Sequence, residues 1–278
     1  MDLDQRLSAL NSLPPLRDVI SEHELSAQKS LGQNFLLDQN VTDKITRSAG
    51  DLSGATVFEI GPGPGGLTRS LLKSAASKVI AIEFDSRAVE ALQSLKACAP
   101  DDVEIIHGDA LKAVLSDIAP TPRAIVANLP YNIAAPLLIN WLKEIRVDYD
   151  AYRSMTLMFQ KEVGDRLAAR PGEKAYGRLS VIAQWLCNVR SVYELPPSAF
   201  TPPPKVKSSV VHFVPKVLDA GAPSFQSVGQ VTAAAFGQRR KMIRSSLKAY
   251  LPRIEELGID PTLRAENLSV EDFLNIAR

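Results

Sequence analysis

Short apolar runs alternate with amphipathic ones through the first 190 residues. Thr56–Ile60 (TVFEI), Lys78–Glu83 (KVIAIE), Val103–His107 (VEIIH) and Arg123–Asn128 (RAIVAN) are rich in Val and Ile and bounded by turn residues, which predicts strands. Between them, Gly66–Ala76, Ser86–Ala97 and Leu111–Ile118 predict helices or short helical crossovers. Alternation at this spacing predicts an α/β fold, a parallel sheet with helices on both faces. Ser154–Gln160 reads as a further strand, and Ser191–Glu194 with Ser208–Pro215 as a closing hairpin. Leu218–Ser227 (LDAGAPSFQS) is linker-like, and strand signals stop there. Val228–Tyr250 has a helical period, with Phe236, Ile243, Leu247 and Tyr250 on one face. The expectation is a large α/β domain over 1–217 and a small all-helical domain over 218–278.

Composition narrows this only slightly. The 278 residues suit one large domain and a small one; 45% hydrophobic and 23% charged residues are ordinary for a globular chain. Cys98 and Cys187 lie far apart and form no C-x-x-C pair, and His23, His107 and His212 are scattered, so neither a disulfide framework nor a metal site is expected. The opening MDLDQRLSALNSLPPL lacks the apolar centre of a signal peptide. The most apolar stretch, near Ile133–Leu142, is broken by Pro136 and Asn140 and falls short of the ~20 residues that a bilayer requires. A cytoplasmic protein with no membrane partner is the expectation.

The candidate chemistry sits at strand ends. VFEIGPGPGGLTRSLL places Gly61, Gly63, Gly65 and Gly66 between the first strand and a helix, a G-x-G-x-x-G pattern that lets backbone approach a ligand. Glu83 ends the second strand, where a carboxylate can accept both ribose hydroxyls of a dinucleotide or of S-adenosylmethionine; Asp85 competes for that role from just past the strand. Asp109 follows the third strand, placed to accept from an adenine amino group or to cap a helix. Three consecutive strand ends thus carry ligand-suited residues, where open α/β sheets bind their ligands.

The fourth strand end separates the cofactors. Asn128-Leu129-Pro130-Tyr131 offers the Asn128 side-chain carbonyl and the Pro130 backbone carbonyl as acceptors for an exocyclic NH2, with Tyr131 to stack on the attached base. The lone pair of an adenine N6 is delocalised into its ring. Two acceptors holding its hydrogens favour a pyramidal nitrogen with that pair aimed at a sulfonium methyl, which is catalysis by positioning and electrostatics. An NAD-dependent oxidoreductase, the alternative the glycine loop leaves open, gives this tetrapeptide no task.

Charge matters locally. The net charge is only +1, yet from Leu195 to Ile254 Asp219 is the sole acid against nine bases. Lys205 and the group Arg239, Arg240, Lys241, Arg244 and Lys248 are candidates for phosphate contact; Lys241, Arg244 and Lys248 are spaced for one helical face.

The motifs QNFL (Gln33–Leu36), EIGPGPGGLT (Glu59–Thr68), Ile82-Glu83, Gly108-Asp109-Ala110, NLPYNIA from Asn128 and FTPPPKVKSSV from Phe200 occur in an order and spacing that closely resemble the bacterial KsgA family of ribosomal small-subunit RNA adenine dimethyltransferases, over nearly the whole chain. The resemblance implies a Rossmann-like class I methyltransferase sheet, with residues 1–37 as a segment covering the cofactor site. It implies S-adenosylmethionine as cofactor, without a metal, near Asn34, Leu36, Gly61, Gly63, Glu83, Asp109 and Asn128. Phe200 matches the aromatic that faces Tyr131 across a flipped adenine. The implied reaction converts two adjacent adenosines of the 3′-terminal hairpin of 16S ribosomal RNA, in an immature 30S particle, to N6,N6-dimethyladenosine, by a monomer that also assists subunit biogenesis. A large-subunit methyltransferase of the macrolide-resistance type and a mainly non-catalytic assembly factor are the alternatives.

Overall fold

The computed structural model describes residues 3–25 and 33–278, so parts of the expected N-terminal covering segment (1–2 and 26–32) lie outside the described residues. Among the described residues nine strands occur: β1 (Phe35–Leu36), β2 (Thr56–Ile60), β3 (Lys78–Glu83), β4 (Val103–His107), β5 (Arg123–Ala127), β6 (Ser154–Gln160), β7 (Cys187–Leu195), β8 (Phe200–Thr201) and β9 (Ser208–Pro215). Seven form one sheet in the order β4-β3-β2-β5-β6-β9-β7. The first five run parallel, while β9 is antiparallel to both β6 and β7. The expected hairpin is therefore present, its first strand extended to Cys187–Leu195.

The central strands are hydrophobic on both faces because both faces are covered. Side chains alternate across the sheet, and the core divides accordingly. Phe58 and Ile60 of β2, with Ile125 and Ala127 of β5, pack with Leu138, Trp141 and Leu142 of the Ala134–Val147 helix. Val57, Ala124 and Val126 instead meet Ile45 of the Gln39–Ser48 helix and Leu71 of the Gly66–Leu72 helix. Strand order reverses between β2 and β5: from β2 the chain moves outward through β3 and β4, then returns to β5. This switch point opens a crevice at the strands' carboxyl ends.

Several predicted helices are shorter than expected. Gly66–Ala76 ends at Leu72, Ser86–Ala97 is divided at Leu92, and Leu111–Ile118 keeps only Leu115–Ile118. The largest correction concerns Val228–Tyr250. A helix runs over Phe225–Gly237, but the chain then turns, forms Ile243–Ser246, and continues as a 3-10 turn over Lys248–Tyr250. Tertiary hydrogen bonds break the helix: Ile243 N–H donates to the Leu263 carbonyl at 2.7 Å and Arg244 N–H to Pro261 at 3.0 Å. The apolar face is nevertheless used. Ile243 and Leu247 are buried, with Phe236 and Tyr250 packed beside them, in a cluster that also contains Tyr176, Val181 and Phe273. The C-terminal helices thus share their core with residues 169–181 of the preceding unit.

Candidate active site

The crevice at the switch point is a cavity of about 270 Å³. Its floor is the glycine loop. Gly61 and Gly63 leave β2 with φ of +66° and +55°, the left-handed region that favours glycine. A Cβ on Gly63 would lie 2.8 Å from the Phe35 ring, and one on Gly61 would lie 3.3 Å from the Pro130 ring. Glycine therefore lets this loop fit between the N-terminal segment and the Asn128–Tyr131 turn.

Glu83 is 5% exposed at the end of β3. Its Oε2 accepts the Gly63 N–H at 3.0 Å, while Oε1 accepts Phe84 N–H at 2.8 Å and Asp85 N–H at 2.9 Å. Burial pushes this carboxyl above its ordinary range, and the three backbone donors oppose that shift. Asp109, after β4, lines the cavity and also accepts Leu111 N–H through Oδ1 at 3.0 Å, so its ligand-suited position and its turn-capping role coexist. Asn128, after β5, donates its side-chain amide N–H to the Asn34 carbonyl at 3.0 Å. With the amino group so occupied, the amide carbonyl is the atom available to an incoming amine. The Pro130 carbonyl accepts Ile133 N–H at 3.1 Å and keeps one lone pair. Tyr131 is held by a 2.6 Å hydrogen bond between its hydroxyl and Ser208 Oγ, at the start of β9.

Every expected cofactor residue and three of the four expected catalytic residues line this cavity. Phe200 does not. It is 3% exposed and packs in the cluster holding Leu36 and Leu195. Its position follows from a pairing that the pattern of the chain did not suggest: β8 runs antiparallel to β1, with Leu36 opposite Phe200 and Phe35 opposite Thr201. The N-terminal segment and the FTPPP segment are thus strapped together beside the cavity.

Other lining residues escaped the sequence reading. Phe84, 63% exposed, and Leu111, 38% exposed, present apolar surface beside Glu83 and Asp109. An exposed aromatic directly after a strand-end acid was the available signal. Glu59 is 2% exposed within β2, with Oε2 unpartnered, and burial together with the neighbouring Glu83 charge pushes its carboxyl up to about 8. The neutral form of this carboxyl is thereby favoured at neutral pH.

The basic candidates behave differently. Lys205 is exposed in the turn before β9. Arg239 faces inward as much as outward, donating from Nη2 to the Tyr176 carbonyl at 2.9 Å and to the Lys174 carbonyl, and from Nε to Glu266 at 3.3 Å. Arg240, Lys241, Arg244 and Lys248 are exposed, with no side-chain hydrogen bond or ion pair to described residues. Lys241 lies in the turn, Arg244 in the Ile243–Ser246 helix and Lys248 in the 3-10 turn, so they do not share one helical face.

This sheet order, with a nucleoside-suited cavity at its switch point, is the architecture of a Rossmann-like class I methyltransferase. The family model described as ribosomal RNA adenine dimethylase matches residues 24–278. A protein of Ruegeria sp. (strain TM1040) named ribosomal RNA small subunit methyltransferase A is 52% identical over 277 residues, covering 98% of each chain. A Rhodospirillum rubrum protein of the same name is 54% identical over 272 residues, covering 96% of this chain and 93% of the other. The crystal structure of a dimethyladenosine transferase from Plasmodium falciparum superposes with a TM-score of 0.73 at 28% identity, covering 86% of this chain and 94% of the other. The chain belongs to the ribosomal RNA adenine dimethylase family, which sets aside the nicotinamide alternative.

Proposed function

We propose that this protein transfers methyl groups from S-adenosylmethionine to N6 of two adjacent adenosines in the 3′-terminal hairpin of small-subunit ribosomal RNA, forming N6,N6-dimethyladenosine in an immature small subunit. One observation carries the reading: Asn34, Gly61, Glu83, Asp109, Asn128 and Tyr131, drawn from the N-terminal segment and four adjacent strand ends, surround one cavity. The similarity to proteins named for the small subunit, at 52–54% identity over almost the full length, favours this RNA over that of the large subunit.

The residues present fit the cofactor. Glu83 keeps one acceptor site, on Oε2, beyond its three backbone bonds for a ribose hydroxyl. Asp109 Oδ2 suits an adenine amino group. Phe84 and Leu111 offer apolar surface for the base, and the glycine loop admits close backbone contact. When bound, S-adenosylmethionine supplies an electrophilic methyl on a sulfonium.

The chain's own task is to present the amine. Asn128 Oδ1 and the Pro130 carbonyl accept the N6 hydrogens and favour the geometry in which nitrogen is nucleophilic, while Tyr131, fixed by Ser208, stacks on the base. No strong general base is needed, since the amine becomes acidic only as the new bond forms. Phe200, buried beside β1, would need to rotate out to face Tyr131; in this reading arrival of the RNA base draws it from the cluster.

Lys205, Arg240, Lys241, Arg244 and Lys248 are proposed to contact RNA phosphates, with Arg239 supporting their turn. Residues 218–278 are read as a small RNA-contacting domain on the methyltransferase domain, and the protein as a cytoplasmic monomer that also assists subunit biogenesis. Incubating it with S-adenosylmethionine and undermethylated small subunits, then analysing digested RNA by mass spectrometry, tests the reading. The expected product is N6,N6-dimethyladenosine, approaching two per subunit; no methylated adenosine despite subunit binding would refute it.

A further inference from the structure

Asp85 lies two residues beyond Glu83, and its side chain is only 6% exposed. Both of its oxygens are already engaged by protein donors. Oδ1 accepts the Arg87 backbone N–H at 3.1 Å and Arg87 Nε at 3.0 Å, while Oδ2 accepts Arg87 Nη2 at 2.6 Å and Gln33 Nε2 at 3.4 Å. The remaining arm of the same guanidinium, Nη1, donates to the Glu24 carbonyl at 3.0 Å. Glu24 and Gln33 are separated by eight residues in sequence yet meet on this one ion pair. From Gln33 the connection passes directly to the site, because Gln33 and Asn34 line the cavity and the Asn34 carbonyl accepts from Asn128. On its other side, the Asp85 backbone N–H holds Glu83 Oε1.

We infer that the Asp85–Arg87 pair is a positioning device for the cofactor site, tethering the N-terminal segment so that Gln33 and Asn34 close one wall of the cavity. This assigns Asp85 a task other than direct ribose contact. A helix cap alone would need only the bond from Asp85 Oδ1 to the Arg87 backbone N–H; the forked guanidinium bonds and the reach to Glu24 are additional. Bidentate Arg–carboxylate pairs are stronger and more directional than ordinary surface ion pairs. The Arg87 hydrogen bonds hold the Asp85 carboxyl below its ordinary range, so the pair persists throughout neutral pH. Leu25, packed with Val19, Ala88 and Ala91, seats the same segment on the Ser86–Ala91 helix.

The inference rests on the S-adenosylmethionine reading, and its test separates the two. S-adenosylhomocysteine binding is measured by calorimetry for the wild-type protein, Arg87→Ala, Arg87→Lys and Asp85→Asn; the last keeps a good helix cap while removing the charge. Absence of wild-type binding would overturn the cofactor reading itself. With wild-type binding in hand, Arg87→Ala and Asp85→Asn are expected to weaken it by roughly tenfold, the loss of one or two charge-assisted hydrogen bonds. The KM for S-adenosylmethionine should rise in parallel, with kcat at saturation changed by less than about twofold, since the reacting atoms are untouched. Arg87→Lys, which keeps the charge but loses the fork, should fall between. Unchanged affinity in folded Arg87→Ala and Asp85→Asn proteins, with only the melting temperature lowered, would reduce the pair to a structural bond and overturn the inference.

Discussion

At the cavity, Glu83 is buried and accepts three backbone hydrogen bonds, Asn128 is bonded to the Asn34 carbonyl, and Tyr131 is fixed by Ser208. At the basic turn of 238–248, Arg240, Lys241, Arg244 and Lys248 reach into solvent with no partner among the described residues, and Arg239 alone ties the turn to the Lys174 and Tyr176 carbonyls and to Glu266. The first region spends its polar groups on geometry fixed before any ligand arrives; the second keeps its charges uncommitted. That contrast suits the two tasks. Methyl transfer needs atoms held in place, since small displacements are costly in rate. Phosphate contact needs only charge near a flexible polyanion.

Substitutions can break the contrast or sharpen it. The largest effect is expected from Glu83→Ala, which strands three backbone donors and removes the proposed ribose acceptor. Each orphaned buried donor costs about 1–3 kcal/mol, so calorimetry should show S-adenosylhomocysteine binding lost and thermal melting a clear destabilisation. Gly63→Ala forces a Cβ to 2.8 Å from Phe35 at a positive φ. Strain of roughly 1–3 kcal/mol is expected, visible in denaturant unfolding and in weaker cofactor binding. At the turn, replacing Arg240, Lys241 and Arg244 together should leave stability almost unchanged. Subunit affinity should fall, and the slope of log affinity against log salt should flatten by ~0.7–0.9 per lost phosphate contact. Arg239→Ala sharpens the distinction within the turn: its main expected effect is a lower melting temperature, because three protein partners are lost.

A separate prediction concerns pH. With its pKa raised to about 8, Glu59 stays protonated in the folded protein where the unfolded chain is ionised. The unfolded state then binds fewer protons, so the wild-type protein loses stability as pH rises from about 4.5 towards 8. Glu59→Gln removes that penalty, and its melting temperature should gain on the wild type steadily between pH 5 and 8, by an amount that is constant at higher pH. A difference independent of pH would mean that Glu59 is ionised in the folded state.

Much of the fold was legible because its determinants are local. The runs TVFEI and KVIAIE end where β2 and β3 end, since a strand covered on both faces reads as a mainly apolar segment bounded by turns, while VEIIH, the half-buried edge strand β4, was marked by its Val and Ile residues. The glycine loop and the residues that follow four strands were readable for the same reason. Features set by distant chain were not. The helix after Gly237 breaks because backbone at 243–244 bonds to 261 and 263, and helical periodicity is blind to that competition. The two-residue pairing of β1 with β8 is too short to leave a pattern, yet it buries Phe200 and brings the N-terminal segment to the cavity. Glu59 is distinguished only by its burial among packed neighbours, which the strand TVFEI does not reveal.

The central claim, that the Asn128 turn presents an adenosine amine for methylation, is tested most directly by Asn128→Ala. Wild-type and variant proteins would be incubated with S-adenosylmethionine and undermethylated small subunits, with N6,N6-dimethyladenosine followed by mass spectrometry and subunit binding measured in parallel. The account predicts that the variant binds subunits as the wild type does but forms dimethyladenosine at least about a hundredfold more slowly, the scale seen when a preorganised transition-state contact is removed. Turnover equal to the wild type would contradict it, and would place the methyl-accepting chemistry elsewhere in the chain.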